Sequence, residues 1–318
     1  MKAAIYSENG GPEVFRLVDL PVPVPGPGEV LVQVEAISIE GGDLLARRSV
    51  PPGEPPRVKG YAAAGRIAAC GEGVTAWTVG DPVTSFAFDG SHAEFREVPA
   101  DHCWRIPEGV SAVLAAAALI TFGTAALALQ LAGFAAGQTV LVTGAAGGVG
   151  LATVQLVAQG GGRAIGTGSN PAALAEIARL GLSDAIDLNQ GGFAAQTRAL
   201  LGDGVDSVID NVGGRSVSEG IAALKDGGTL VLVGLLDRDV QQINPVTLLL
   251  RRLTVAGCFL GPIIARPAVS RLIDDILTGL AEGRLVMPLD QTFALADVVA
   301  AHTRAEARGR LGRVVMLT

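Results

Sequence analysis

Thr139-Val140-Leu141-Val142-Thr143-Gly144-Ala145-Ala146-Gly147-Gly148-Val149-Gly150 passes from a short apolar run into a glycine-rich turn. The residues that follow, to Gln159, read as a helix. An apolar strand, a glycine turn and a helix in that order form the setting in which backbone N–H groups cradle a pyrophosphate. Glycine allows the tight turn and the close approach of backbone to phosphate. The last glycine lets helix and strand pack closely, and the helix N-terminus faces the phosphate charge. The strict G-x-G-x-x-G pattern is not met, because Ala145 stands at one glycine position. The alternative reading is a glycine-rich turn without a ligand.

Working outward, the second strand of such a unit is expected at Arg163–Thr167. Its end, Gly166-Thr167-Gly168-Ser169-Asn170, carries no acid. NAD enzymes place a carboxylate there, on the ribose 2′-OH. Small hydroxylated residues leave room for a 2′-phosphate, so the reading favours NADP(H). Arg163 and Arg179 are candidate cations, each with a surface arginine as the alternative. Further elements alternate in the rhythm of a parallel sheet covered on both faces. Strands are predicted at Asp184–Leu188, Val205–Asp210 and Thr229–Val233. Helices are predicted from Pro171 (capped by Ser169 or Asn170), around Phe193–Leu201 and at Val217–Leu224.

The first hundred residues have a different texture. Val30–Ile37 alternates partly, with Gln33 and Glu35 polar. Short runs at Ala64–Ala69, Asp81–Phe86 and Ala93–Val98 are separated by Pro/Gly turns. That pattern suggests a small antiparallel barrel. Beyond residue 255 the rhythm weakens to helices at Pro267–Glu282 and Leu295–Ala307 and a last strand at Gly312–Leu317. This tail is expected to return to the first domain. The boundaries expected are 1–116 with 256–318 for the barrel domain and 117–255 for the nucleotide domain.

Composition narrows the function class. The 318 residues are 49% hydrophobic and 17% charged, enough apolar material for about two domains. The net charge is −7, with no basic run beyond Arg47-Arg48 and Arg251-Arg252, which argues against nucleic acid. The alanine-rich stretch Ser111–Leu131 is interrupted by Thr121, Gly123, Thr124 and Gln130. It reads as a buried helix rather than a membrane span, and no membrane partner is expected. Three widely spaced cysteines, Cys70, Cys103 and Cys258, imply no disulfide framework and fit a cytoplasmic setting. No Ser/His/Asp or Cys/His nucleophile signature is present, so a hydrolase is not expected.

Several stretches together resemble the medium-chain dehydrogenase/reductase superfamily, and within it the zinc-independent quinone oxidoreductase-like group. They are Gly10-Gly11-Pro12-Glu13-Val14, Pro25-Gly26-Pro27-Gly28-Glu29-Val30, Gly71-Glu72-Gly73-Val74, Val79-Gly80-Asp81-Pro82-Val83, the turn at 145–150, Ile209-Asp210-Asn211-Val212-Gly213-Gly214, Phe293–Asp297 and Gly312-Arg313-Val314-Val315. The resemblance covers the whole chain. It implies an α/β architecture in which a Rossmann doubly wound parallel sheet is inserted in a GroES-like β-barrel domain. It also implies an active site in the cleft between the domains, and a homodimer. Thr124, Asn211, Gly234 and Phe259 fall where the family lines its cofactor groove. They join Gly144, Ala145, Ala146, Gly147, Gly148, Val149, Thr167, Gly168 and Ser169 as candidate NADP(H) contacts.

The same resemblance bears on metal. Glu40 stands where zinc alcohol dehydrogenases of the superfamily have Cys, and Gly60-Tyr61-Ala62 where they have Gly-His-Glu. Their cysteine-rich loop is absent, and no zinc site is expected. The zinc-independent group commonly has Asn at the Glu40 position, Gly-x-Glu near residue 62 and Gly-x-Tyr within 46–50, so this chain departs from it too. Tyr61 reads as a proton donor or as a packed tyrosine at the barrel rim; Glu40 reads as a proton relay or a polar rim residue. The implied reaction is hydride transfer from NADPH to a small-molecule quinone or α,β-unsaturated carbonyl. A non-catalytic NADP(H)-binding protein is the alternative, and a zinc alcohol dehydrogenase is disfavoured.

Overall fold

A computed structural model describes residues 1–237, 239 and 242–318. The chain begins with β1 (Lys2–Ile5) and β2 (Arg16–Asp19), an antiparallel pair. Then follow β3 (Glu29–Ser38), helix α1 (Gly41–Ser49), β4 (Ala62–Cys70), β5 (Pro82–Phe86), β6 (Phe95–Pro99) and β7 (Cys103–Arg105). Helix α2 (Ala112–Leu131) leads to β8 (Thr139–Val142), α3 (Gly148–Gln159), β9 (Arg163–Gly168), α4 (Pro171–Ala178) and β10 (Leu182–Asp187). These are followed by α5 (Phe193–Leu201), β11 (Val205–Asp210), α6 (Arg215–Ala223), β12 (Leu224–Leu232), α7 (Pro245–Arg251) and β13 (Thr254–Gly257). The last elements are α8 (Pro267–Ala281), β14 (Leu289–Ala294), α9 (Val298–Glu306) and β15 (Arg313–Leu317).

Two compact units divide the chain. One holds Met1–Gly123, Gly261–Arg308 and Arg313–Thr318; the other holds Thr124–Leu260 and Gly309–Gly312. The division differs from the boundaries read from sequence. The position 116/117 lies inside the continuous helix α2, and 255/256 lies inside β13. That strand still pairs in parallel with β12, Val255 opposite Leu230, so it stays with the nucleotide-type sheet. The short segment 309–312 also goes to that unit.

In the first unit a seven-stranded sheet runs β14-β15-β3-β4-β5-β7, with β6 on β3. All pairs are antiparallel except β14 with β15. The alternation of β3 decides which face is inward. Val30, Val32 and Val34 are buried while Gln33 and Glu35 are exposed, and Glu35 pairs with Arg66 of β4 at 3.2 Å. Inside lie two apolar clusters. One is built on Val30, Val32, Ile67, Val83 and Val98, the other on Phe15, Ile37, Val314 and α9 residues such as Val298 and Ala301.

In the second unit a six-stranded sheet runs β10-β9-β8-β11-β12-β13, every pair parallel. Its inner strands are apolar on both faces, as a sheet covered by helices requires: Val140, Leu141, Ile165, Val208, Ile209, Leu230 and Val231 are fully buried. This is the doubly wound α/β fold expected from the sequence. The chain turns to one side of β8 for β9 and β10, then to the other for β11 to β13. The crevice at the carboxyl ends of β8 and β11 is therefore the switch point at which such sheets bind ligands. Helix α2 is long and apolar enough to cross a membrane by length and composition, but most of its apolar window lies buried in the protein.

Candidate functional site

The carboxyl edge of the parallel sheet collects the nucleotide-site candidates. Gly144 follows β8, Ser169 follows β9, Asn211 follows β11, Gly234 follows β12 and Phe259 follows β13. At Gly144 the backbone takes φ +60°, a conformation glycine adopts without strain. A Cβ on Gly150 would overlap the Gly144 carbonyl and stand 2.8 Å from the Ala145 Cα, so only glycine lets α3 start so close to the turn. Gly147 is the N-cap of α3 and supplies no side-chain hydrogen bond. The first-turn N–H groups of Gly148, Val149 and Gly150 thus face a site that favours an anion.

The departure at Ala145 has a packing reason. Ala145 is fully buried and donates its N–H to the Thr167 carbonyl at 3.0 Å. A Cβ on Gly166 of β9 would stand 2.6 Å from the Ala145 Cβ. The methyl missing from β9 is supplied by the turn.

Around the crevice, Thr143 donates from Oγ1 to Asp210 Oδ1 at 2.7 Å and accepts from the Asn211 N–H at 2.9 Å. Asn211 Nδ2 donates to the Thr143 carbonyl at 2.9 Å, which leaves its Oδ1 buried without a partner. Thr167 Oγ1 is also buried and unpartnered. Buried polar atoms are rarely left so, and these two lie at the strand ends where the sequence places ribose and phosphate contacts. A Cβ on Gly234 would overlap the Asn211 carbonyl, so glycine is needed there as well. Thr124 is nearly buried, and its carbonyl accepts from Cys258 Sγ at 3.7 Å; Phe259 is exposed. Ala146 accepts from the Gly312 N–H, and Ser169 accepts from Asn189 Nδ2 at 3.0 Å.

Neither arginine named from sequence waits for a phosphate. Arg163 pairs with Asp184 at 2.8 Å and Arg179 with Glu176 at 3.1 Å. Sequence reasoning missed the segment Gly309–Gly312. Asn170 Nδ2 donates to the Gly309 carbonyl at 2.8 Å, bringing Arg310 into the same unit as Ser169. The signal was present in the glycines flanking Arg310, but a contact between residues 139 positions apart leaves no local pattern.

In the barrel unit, Glu40 caps α1. Its backbone N–H donates to Asp43 Oδ2 at 2.7 Å, and its side chain accepts from the backbone of Asp43, forming a capping box. Its carboxylate pairs with Arg313 at 2.7 Å and accepts from Ser38 Oγ at 2.7 Å, all buried. Asp43 is wholly buried with Oδ1 unpartnered, and burial, aided by the Glu40 charge, pushes its carboxyl up to about 8. Tyr61 lies half-buried with its ring where a Cβ on Gly42 would be, edge-on to Phe86 and Phe88 at 5.8 and 5.6 Å. Burial, with Asp43 and Asp89 adding, pushes its phenol up to about 12. It therefore stays protonated through neutral pH.

Comparison with known proteins agrees with this geometry. Residues 26–108 match the alcohol dehydrogenase GroES-like domain, and residues 148–276 match the zinc-binding dehydrogenase family. A mycobacterial protein solved in complex with NADPH is 33% identical over the whole of both chains, with a TM-score of 0.94. The chain belongs to the medium-chain dehydrogenase/reductase superfamily, in its quinone oxidoreductase-like group. A mycobacterial quinone oxidoreductase is similarly related, at 33% identity and TM-score 0.89 over both whole chains. The quinone oxidoreductase of Rattus norvegicus is 28% identical over 324 residues, spanning all of this chain and 98% of the relative. Membership makes the chain an oxidoreductase.

The zinc implied by one family description does not fit the donors of this member. Glu40 is committed to Arg313, and Gly60-Tyr61-Ala62 offers no imidazole or carboxylate. Among the described residues no group of three or more His, Cys, Asp and Glu comes together to hold a metal. A dinucleotide does fit: the glycine cradle, the uncapped helix start and the orphaned Thr167 and Asn211 oxygens supply donors and acceptors at one sheet edge.

Proposed function

We propose that the chain is a zinc-independent, NADPH-dependent oxidoreductase that reduces a quinone or an α,β-unsaturated carbonyl. The observation that carries this reading is the glycine cradle at the β8/β11 switch point beside an acid-free β9 end, where Thr167 keeps an unpartnered hydroxyl. A carboxylate at that end would repel a 2′-phosphate; the hydroxyls of Thr167 and Ser169 can donate to it. The mycobacterial NADPH complex and the related quinone oxidoreductases support the same direction.

When bound, the nicotinamide supplies the hydride. The residues of this chain hold and orient it: α3 and the turn at the pyrophosphate, Thr167 and Ser169 at the ribose phosphate, Asn211 Oδ1 as an acceptor at the crevice. Two-electron reduction of a quinone by hydride also consumes one proton, yielding the hydroquinone. Tyr61, protonated through neutral pH, is the donor we assign, with solvent as its source. Glu40 is better suited to holding α1 to β15 than to moving protons, because both of its oxygens are engaged.

NADPH oxidation followed at 340 nm against small quinones and enones tests the proposal. Turnover with NADPH in preference to NADH is expected. Tight NADPH binding with no acceptor reduced would favour the second reading, a non-catalytic NADP(H)-binding protein, which the locked Glu40–Arg313 pair and the uncharged Ala62 motivate. We also propose a homodimer, on the exposed apolar surface of α7 beside the free edge of β13.

A further inference from the structure

A chain of buried polar groups runs through the barrel unit. Arg47 of α1 is fully buried. It pairs with Glu306 of α9 through Nη2, donates from Nε to the Gly10 carbonyl at 3.1 Å, and contacts His302 Nδ1 through Nη1 at 2.7 Å. His302 Nε2 meets His92 Nε2 at 2.8 Å, and His92 Nδ1 meets Ser91 Oγ at 3.0 Å. Both imidazoles are fully buried, packed on the Phe15 ring.

The protons in this chain have only one arrangement. A guanidinium has only donors, so His302 Nδ1 must accept. In the neutral ring Nε2 then carries the hydrogen and donates to His92 Nε2. That leaves His92 Nδ1–H to donate to Ser91 Oγ. Every ring nitrogen is committed. A further proton on either ring sets two N–H groups face to face, between the imidazoles or against Arg47. The surroundings oppose it too: Arg47 from α1 and Arg96 from β6 repel a charge here, and Glu306, the nearby carboxylate, is held by Arg47 and Arg48. Lys59 and Asp89, flanking the far end, pair with each other at 3.2 Å. Burial pushes His92 down to about 3 and His302 well below its ordinary value.

The far end of the chain holds the segment that carries Tyr61. Ser91 N–H donates to the Gly60 carbonyl at 3.2 Å and His92 N–H to the Lys59 carbonyl at 2.9 Å. Gly60 has φ +104°, and a Cβ there would overlap both Ser91 Oγ and His92 Nδ1. Lys59-Gly60-Tyr61 thus rests directly on Ser91 and His92, the outer ring of the pair.

We propose that His92 and His302 are positioning residues for the Lys59-Gly60-Tyr61 segment, and that uptake of a proton by the pair releases it. The release itself needs no assumption about the reaction; its effect on turnover rests on the reading that Tyr61 belongs to the substrate site. The sign follows from linkage. The closed segment needs neutral rings, while opened rings titrate near their ordinary 6.5. The stability of the closed segment is therefore fully present above that value and declines as pH falls from 6.5 toward 3. The opening constant rises up to about tenfold per pH unit for each proton taken up.

Amide exchange of the full chain between pH 7.5 and 5 tests this, with β3 amides as internal reference. Protection at Ser91 and His92 should fall on acidification while β3 holds. In the His92→Gln/His302→Gln double variant, each amide accepts and donates in the same directions, so protection should become independent of pH. Equal pH dependence in wild type and double variant overturns the proposal, as does loss only in step with β3. If the double variant does not fold, His302→Gln alone should reduce the slope, and an unchanged slope overturns the proposal. Imidazole NMR of the wild type is a second check: a ring of the pair titrating near 6.5 with protection intact overturns it. In the catalytic arm, the acid limb of kcat/KM for quinone reduction should disappear in the double variant at unchanged NADPH affinity. If no acceptor is reduced, the functional reading fails, while the exchange experiment still decides this one.

Discussion

Glu40 shows how a residue can be located from sequence and still be ambiguous in role. Its number and its distance from the zinc pattern were legible; its partner was not, because Arg313 lies 273 positions away and only the β15–β3 pairing brings it near. Glu40→Gln leaves the Arg313 guanidinium buried without its carboxylate. A cost of about 3 kcal/mol in unfolding free energy is expected, as for other broken buried pairs, with the turnover number of the folded fraction retained. A relay would give the opposite result, lost turnover at unchanged stability. Asp43 offers a second test. Its folded value, about 8, lies above its ordinary 3.8, so the folded chain keeps a proton that the unfolded chain has released. The stability this proton confers is complete below 3.8 and is lost as pH rises toward 8. Asp43→Asn removes the dependence. In urea unfolding, the advantage of the variant over wild type should grow by about 1.4 kcal/mol per pH unit between pH 5 and 8. A constant difference across that range would refute the assignment. The glycine turn and the Thr167–Ser169 strand end were fully visible in sequence, because their chemistry is local. The histidine chain was invisible, because it joins positions 47, 91, 92, 302 and 306.

Elements with a strong apolar pattern were legible: β8, β11 and α5 lie where periodicity put them. Helix α1 was not read, and its inward face explains why. The residues it buries are Asp43 and Arg47, spaced i, i+4, so its pattern is the reverse of an amphipathic helix. Strand β14 is mostly exposed, with no alternation to detect, and is held by its parallel pairing with β15. At α4 the sequence offered Ser169 or Asn170 as cap; Asn170 fills the role, accepting from the N–H groups of Ala172 and Ala173 at 3.1 and 3.3 Å. The same side chain ties down Gly309. Asn170→Ala should therefore do two things. It should lower stability by about 1 kcal/mol through the lost cap, and it should weaken NADPH binding relative to NADH by loosening the adjacent Ser169, the donor proposed for the 2′-phosphate. Fluorescence titration with both cofactors checks this. Equal weakening of the two would confine Asn170 to capping.

At the scale of the whole molecule, the nucleotide unit ends its sheet on an unpaired strand. Among the described residues β13 has β12 on one side only, and an open edge with exposed backbone groups invites pairing. Beside it in sequence, α7 leaves Val246, Leu249 and Leu250 at 56%, 76% and 70% exposure. Helices of a monomer seldom turn two adjacent leucines to water, and a contiguous apolar surface of this kind marks an interface. A second copy, bringing the same edge and the same leucines, satisfies both requirements at once, and such two-fold contacts are the commonest oligomers. Light scattering on the eluting protein should give twice the chain mass of 32.3 kDa. The Leu249→Glu/Leu250→Glu variant should elute at the mass of one chain. NADPH binding should survive, because the glycine cradle lies at the carboxyl ends of β8 and β11, in the middle of the sheet. A wild-type monomer, or a variant that remains a dimer, would remove α7 and β13 from the interface.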